Sequence, residues 1–423
     1  MNPAVETNAL DALLEREGAP PREPLARGAW LRRFLEPGAA ARAAELLELR
    51  ERAAGRLPRP ERLCLTRAGL EQATHGRVAA ARAERIAQVA GPGARVLDAT
   101  CGLGGEAAAL AAAGLAVVAA DRDAATAACA AHNLAVWGAR VPVVRADALA
   151  PPLAPDRRGD WLLVADPSRR VGGRRSLDPQ AWSPAWSALA RELGHWRGSL
   201  VKLAPSARPE ELGSALAPGR PSHWVWTSRG GGLVELVHLG GVLAGPEPGR
   251  EAWILPGEAW IPPGEVGAPG ARCPGARYLG PAERAPDAAP VPDPAAVAWI
   301  AAPDPALVAS GLLGPVAAAA GHAPLGSGIA FTGGAAPADT VGLRDLRVLG
   351  TAKLDRKAVR RLLAEHGVGP LRVLARGLSE SAEALEKRFA GPGTERGVAV
   401  VARCDSGRRL WLVEEGRDGS ALQ

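Results

Sequence analysis

The residues best arranged for chemistry in this chain lie in Val96-Leu97-Asp98-Ala99-Thr100-Cys101-Gly102-Leu103-Gly104-Gly105-Glu106. An apolar run ends in an acid, a glycine-rich turn follows, and an alanine-rich helical pattern starts at about Ala107. Strand, glycine loop and helix start form a pocket at the carboxyl end of a parallel strand, where backbone N–H groups and a glycine surface admit a nucleotide-like cofactor. Asp121 closes the next apolar run, Leu115-Ala116-Val117-Val118-Ala119-Ala120, where a carboxylate accepts both ribose hydroxyl protons of an adenosine. Gly102-x-Gly104-x-x-Ala107 also reads as a dinucleotide fingerprint. Asp98 weighs between the two cofactors: a carboxylate at the mouth of the loop repels a pyrophosphate and attracts the ammonium of S-adenosylmethionine. Glycines that serve only a tight turn are the remaining reading.

The stretch resembles motif I of class I S-adenosylmethionine-dependent methyltransferases, with Asp121 as the ribose acid. The cofactor-binding set expected on that basis is Asp98, Thr100, Cys101, Gly102, Gly104, Asp121, Arg122, Asp147 and Ala148, with Thr74 from a lid. Asp147 follows the third strand and resembles the family's adenine-reading acid; a turn cap is its alternative. Methyl transfer from a sulfonium is an in-line displacement, so the acceptor must sit beyond the carboxyl end of the fourth strand, next to the first. Asp166-Pro167-Ser168-Arg169-Arg170 occupies that place. It is similar to motif IV of nucleic-acid methyltransferases, in which the Asp166 carboxylate and the Pro167 carbonyl would accept the protons of an exocyclic amino group and aim its lone pair.

Ser168 and Arg169 replace the second proline and the aromatic of that motif, so the stacking face must come from Arg169, Trp182 or Trp186. Asp-Pro-x-Arg is also similar to the uridine C5-methyltransferases, but the fifth strand ends Leu200-Val201-Lys202-Leu203-Ala204-Pro205 without the cysteine nucleophile that covalent chemistry needs. Ser168, Arg169, Arg170, Arg174 and Arg175 crowd the mouth of the acceptor pocket and suit phosphates, or form a solvated basic loop.

The elements that position these residues read as an α/β fold. Helical spacing covers Asn8–Glu17, Ala39–Arg56 and Arg77–Ala90 within an N-terminal helical region, residues 1–90. The loop before such an entering helix lies across the cofactor, which makes Gln72 and Thr74 lid candidates, with a plain helix cap at Thr74 as the competing reading. Residues 91–243 alternate strand and helix: Arg95–Asp98, Ala116–Ala120, Val141–Arg145, Trp161–Ala165 and Leu200–Leu203, closed by an antiparallel hairpin of His223–Ser228 and Leu233–Leu239. Five parallel strands and a terminal hairpin are the layout of a Rossmann-like methyltransferase sheet. Residues 244–296, rich in Pro and Gly with apolar segments around Trp253 and Trp260, read as a connection or linker. Residues 297–423 carry helices at Leu354–His366 and Ser381–Phe389 and strands at Leu371–Leu374, Gly397–Ala402 and Arg409–Glu414, an α+β domain.

Within it, Ala302-Pro303-Asp304-Pro305-Ala306-Leu307-Val308, Gly328-Ile329-Ala330-Phe331-Thr332 and Leu354-Asp355-Arg356-Lys357-Ala358-Val359-Arg360-Arg361 resemble a THUMP-like domain, which follows a class I methyltransferase core in a bacterial family. Leu65-Thr66-Arg67-x-Gly69-Leu70-Glu71-Gln72-Ala73-Thr74 also matches that family. More distantly, the core is similar to the trimethylguanosine synthase and guanine-N2 RNA methyltransferase group. The resemblance implies an RNA partner, tRNA or rRNA, held by Lys353, Lys357, Arg360 and Arg361 on the basic helix.

Composition sets the outer bounds. The chain has 423 residues, 47% hydrophobic and 23% charged, with a net charge of +6, an ordinary globular balance compatible with a polyanionic partner. Lysines occur only at 202, 353, 357 and 387, and Trp outnumbers Phe and Tyr, a GC-rich coding bias that weakens inference from arginine content. Cys64, Cys101, Cys129, Cys273 and Cys404 are scattered without CxxC pairs or histidines at metal spacing, which leads to an expectation of reduced thiols in a cytoplasm, with no disulfide and no metal. The N-terminus has no apolar h-region, and prolines and glycines interrupt the uncharged stretch from Ala306 to Ala338, so no secretory signal or membrane span is expected. The expected function is methyl transfer to an exocyclic amino group in structured RNA, guanosine N2 ahead of adenosine N6. The alternatives are a small-molecule or protein acceptor, or a non-catalytic RNA-binding protein.

Overall fold

The computed structural model describes residues 2–171, 174–257, 275–281 and 288–415, and for Arg170, Val171, Arg174 and Arg175 only the backbone. Gly172, Gly173, Trp260 and Cys273, and the side chains of Arg170, Arg174 and Arg175, lie outside the described residues. The chain forms two units, one built from Met1–Trp224 and Glu235–Pro248, the other from Val225–Val234, Gly249–Gly257 and the described part of Gly275–Gln423.

The first unit begins with α1 (Pro3–Glu17), α2 (Pro24–Leu31) and α3 (Pro37–Ala53), each with proline in its first turn, where the missing N–H costs nothing. Helix α2 escapes the sequence reading because eight residues hold too few turns to show a period. These helices bury Leu10, Leu13, Leu31, Ala40 and Ala43 together, and buried Arg50 meets Asp11 at 2.7 Å. Helix α4 (Arg67–Gln72) is capped by Thr66, whose Oγ1 accepts from Gly69 N. Helix α5 (Gly76–Ala90) is capped by His75 rather than Thr74 and ends at Gly91.

The core then runs β1 (Arg95–Asp98), α6 (Gly105–Ala112), β2 (Ala116–Asp121), α7 (Ala124–Val136), β3 (Val143–Arg145), β4 (Leu162–Ala165), the short pair β5 (Arg170–Val171) and β6 (Arg174–Arg175), α8 (Trp186–Leu193), β7 (Gly198–Leu203), α9 (Pro209–Gly213), β8 (Ser222–Arg229) and β9 (Gly232–Gly241). Strands β3-β2-β1-β4-β7 lie side by side in parallel, with β9 antiparallel against β7. Order reverses between β1 and β4, the switch point at which such sheets bind ligands. Register places Asp98 level with Ala119 and Val164. Asp121 and Asp166 therefore emerge at the same sheet edge, just beyond those partners.

Behind the glycine loop, the wholly buried guanidinium of Arg82 on α5 is clamped by Glu106 at the start of α6 and by Glu235 on β9. A buried charge is tolerated only when paired in this way.

One expectation fails here. Cys64 and Cys129, read as separate reduced thiols, form a disulfide, their Cα atoms 5.1 Å apart. Their separation in sequence hid the pairing. Asn133, one turn beyond Cys129 on α7, accepts from Cys64 N at 2.8 Å and donates to Cys64 O at 3.0 Å, which docks the Cys64 segment against α7. Cys101 and Cys404 are free and buried.

In the second unit, β10 (Arg250–Leu255) pairs antiparallel with β11 (Ala276–Gly280). Every residue of β10 is buried, so part of the stretch read as a Pro/Gly-rich connection is a core strand. Then come β12 (Trp299–Pro303), α10 (Pro305–Ser310), α11 (Leu313–Ala319), β13 (Ala323–Pro324), β14 (Thr332–Gly334), β15 (Leu343–Lys353), α12 (Arg356–Glu365), β16 (Val368–Arg376), α13 (Ala382–Arg388), β17 (Glu395–Cys404) and β18 (Gly407–Glu415). The sheet order is β13-β14-β12-β15-β18-β17-β16. One face packs Val373, Ala399, Val401, Leu410 and Leu412 with Val359, Leu363, Leu385 and Phe389 of α12 and its neighbours. The other packs Ile300, Leu325, Phe331, Leu346, Val400 and Trp411.

Replacing Arg82 with Met leaves two buried carboxylates facing one another without their cation. We expect a loss of about 3–5 kcal/mol in urea unfolding at pH 7; a loss below about 1 kcal/mol contradicts a paired buried guanidinium.

Candidate active site

A cavity of about 420 Å³ opens at the carboxyl edge of β1, β2 and β4, within the size range of small-molecule sites. Asp98, Thr100, Cys101, Gly102, Asp121, Arg122, Asp147, Ala148, Asp166, Ser168 and Thr74 all line it. Gly104 sits just behind, at φ +89 as the residue before α6, where an added Cβ would meet Leu134 Cγ at 3.1 Å. A side chain there is strained by the positive φ and needs Leu134 to give way by a few tenths of an ångström. Gly69 of α4 lies so close to the loop that a Cβ would stand 2.8 Å from Leu103.

Asp98 is buried, and its Oδ2 has no hydrogen-bond partner among the described residues. Burial, then the nearby Glu106 carboxylate, pushes its pKa up to about 8; the Thr100 amide and the Lys202 ammonium work the other way. An orphaned, desolvated carboxylate oxygen on a nucleotide-sized cavity calls for a cationic partner, and an amino-acid ammonium fits. Asp121 Oδ2 accepts from Gly102 N at 3.2 Å and Oδ1 from Asp123 N at 3.0 Å, which leaves each oxygen a lone pair for a ribose hydroxyl. Burial also raises the Asp121 pKa. Asp147 holds its own turn through Leu149 N at 2.8 Å, so it is a turn cap and a cavity residue at once. Burial, then Asp98, pushes the Cys101 thiol far up, so it stays neutral.

At the end of β4, Thr100 Oγ1 accepts from Asp166 N at 2.6 Å, joining the glycine loop to that strand end. Asp166 and Ser168 line the cavity, whereas Pro167 between them is buried and Arg169 is not among the lining residues. Ser168 and Ser183 exchange backbone hydrogen bonds at 2.8 and 2.9 Å, which brings Trp182 to the cavity wall. Of the stacking candidates, only Trp182 is placed there. Trp186 is buried, donates to Leu212 O and lies edge-on to His238. Lys353, Lys357, Arg360 and Arg361 are exposed in the second unit, on and beside α12, and Arg361 lies 3.6 Å from Glu365.

Two residues escaped the sequence reading. Glu106, at the end of the glycine loop, lines the cavity while paired to Arg82. Lys202 donates to Thr74 Oγ1 at 2.7 Å and pairs with Asp166 Oδ2. Its signal was available: it is the one charge in an apolar strand ending at the same sheet edge.

Residues 343–415 match the THUMP domain-like family, and residues 93–153 match the family described as RNA cap guanine-N2 methyltransferase. The sequence motifs at 302–308 and 328–332 precede the first match. Over 372 residues the chain is 32% identical to an uncharacterised S-adenosylmethionine-dependent methyltransferase found in two strains of Mycobacterium tuberculosis, covering 85% of this chain and 91% of the relative. The chain belongs to the S-adenosylmethionine-dependent methyltransferases. The fold of this methyltransferase is shared with a structure solved as a methyltransferase candidate from Porphyromonas gingivalis W83, at TM-score 0.70 and 19% identity, covering 95% of this chain and all of that one. S-adenosylmethionine is accordingly its cofactor, and the residues around the cavity suit it. Among the described residues, no helix is long and apolar enough to cross a membrane.

Asp98→Asn tests the cofactor cradle without needing an acceptor. A carboxyl pKa raised from 3.8 to about 8 means the folded protein holds a proton the unfolded chain has released, so stability falls as pH rises through that window. Asparagine has no such proton. In cofactor-free thermal melts the variant should gain on wild type from pH 5 to pH 8.5, yet lose S-adenosylmethionine binding by calorimetry. A pH-independent difference in melting, or unchanged binding, contradicts the assignment.

Proposed function

We propose that this methyltransferase modifies an exocyclic amino nitrogen of a base in structured RNA, tRNA or rRNA, with guanosine N2 ahead of adenosine N6. The observation that carries the reading is Asp166, which shares one cavity with Asp98 and has one oxygen, Oδ2, engaged by Lys202. S-adenosylmethionine supplies the methyl group. In this reading Asp98 takes the cofactor's ammonium, Asp121 its ribose and Asp147 its adenine amino group. Asp166 Oδ1 accepts an N–H proton of the acceptor amine and points its lone pair inward. Trp182, buried but on the cavity wall, is the aromatic nearest the place of the one missing after Pro167.

RNA as the acceptor is supported by the match of residues 93–153 to a guanine-N2 RNA methyltransferase family and by the THUMP domain-like match. In the same reading, Lys353, Lys357, Arg360 and Arg361, exposed on and beside α12, hold phosphates.

Two measurements test this. Nucleoside mass spectrometry of total RNA from a deletion strain should lack one methylated nucleoside, restored by the wild-type gene but not by Asp166→Ala; an unchanged profile overturns an RNA acceptor. Binding of the purified protein to bulk tRNA and rRNA should weaken at least about tenfold between 50 and 300 mM salt, because phosphate contacts release counterions. A swing below about threefold removes the electrostatic support.

A further inference from the structure

Packing does not account for Lys202. Its strand neighbours Leu200, Val201 and Leu203 are buried apolar residues, and an aliphatic side chain would serve the sheet as well. Instead its side chain, 12% exposed, ends in an ammonium shared between Thr74 Oγ1, at 2.7 Å, and Asp166 Oδ2. These partners come from different places. Thr74 lies in the connection between α4 and α5, which runs along the cavity with Gln72 and Ala73. Asp166 follows β4 and ends in the carboxylate of the acceptor site.

We propose that Lys202 is a positioning residue that ties the α4–α5 connection to the Asp166 carboxylate, so that the cover over the cofactor and the aim of the acceptor acid are set together. This rests on the reading that Asp166 steers the acceptor.

The argument is geometric. Thr100 Oγ1 already holds the main-chain N of Asp166 at 2.6 Å. With its side chain 41% exposed, the carboxylate could still turn about its own torsions. The ammonium removes that freedom by engaging Oδ2, and Oδ1 is then the oxygen left for the acceptor. In-line transfer is sensitive to such aim, because a displacement near 1 Å costs about 100-fold in rate. An ammonium also has three donors, and two acceptors from separate segments fix where it can sit. The contact thus acts in both directions: Asp166 and Lys202 hold Thr74, and Thr74 and Lys202 hold Asp166. The same cation lies within electrostatic reach of Asp98 and lowers the cost of that buried acid.

The experiment uses the full chain and three variants. In Lys202→Met, amide hydrogen exchange over residues 72–76, measured with S-adenosylhomocysteine bound, should rise about tenfold or more. Calorimetric affinity for S-adenosylmethionine should fall much less than the rate, because the variant loosens the cover and removes a cation near Asp98 but keeps the Asp98 and Asp121 contacts. The kcat for transfer to RNA from the deletion strain should fall about 100-fold with KM little changed, and Lys202→Arg, which keeps a donor, should recover at least about tenfold of that loss. Thr74→Val cuts only one end of the tie and should loosen residues 72–76 by itself, which covers the case of a Lys202 variant that fails to fold. Unchanged exchange in Lys202→Met or in Thr74→Val overturns the proposal, as does loss of cofactor affinity in parallel with rate. If the wild-type protein methylates no RNA, the acceptor reading falls, and exchange with cofactor titration still decides whether the tie exists.

Discussion

Crowding of negative charge is the constraint on which this site depends. Asp98, Glu106, Asp121, Asp147 and Asp166 all reach one cavity, and carboxylates so close raise one another's cost of ionisation. Arg82, Arg122 and Lys202 offset it. Arg82 meets Glu106 and Glu235 from below the loop, wholly out of water, and Lys202 meets Asp166 at the rim. Asp98 is left with an unpaired oxygen and an elevated pKa. A site that keeps one acid in want of a cation is prepared for a ligand that brings one, at some cost to the cofactor-free protein.

The N-terminal helices serve the same site. Leu49, Leu57, Leu63 and Leu70 from the segment around α3 and α4 pack with Leu103 of the glycine loop and Cys129 of α7. The close approach of Gly69 to Leu103 and the clamp of Asn133 on Cys64 belong to this layer. The glycine loop is therefore packed from both faces: α7 carries Leu134 against Gly104, and α4 lies against Leu103. Rigid walls of this kind let a few polar atoms set the orientation of a ligand.

The second unit follows a different logic. Its sheet is covered on one face by α12 and α13 and on the other by segments around Leu325 and Phe331. Helix α12 buries Val359, Leu362 and Leu363 and turns Lys357, Arg360 and Arg361 outward, the amphipathic division expected of a surface helix.

The periodic, local part of this protein was legible in its residues. Apolar runs, Gly-rich turns and the acids at strand ends marked β1, β2, β4, β7 and the β8–β9 hairpin to within a residue or two, and with them Asp98, Asp121 and Asp166, because a strand's end and its following loop are encoded by neighbours in sequence. What the chain brings together from afar was not. The Cys64–Cys129 disulfide, the Arg82 clamp on Glu106 and Glu235, the buried strand β10 inside a Pro/Gly-rich stretch and the choice of Trp182 over Trp186 depend on which faces meet after folding. Lys202 lies between the two cases. Its charge in an apolar strand was visible, but its partners, Thr74 and Asp166, become neighbours only when β4 pairs beside β7 and the α4–α5 connection reaches the end of β7, since no local pattern records which distant side chains will share a hydrogen bond.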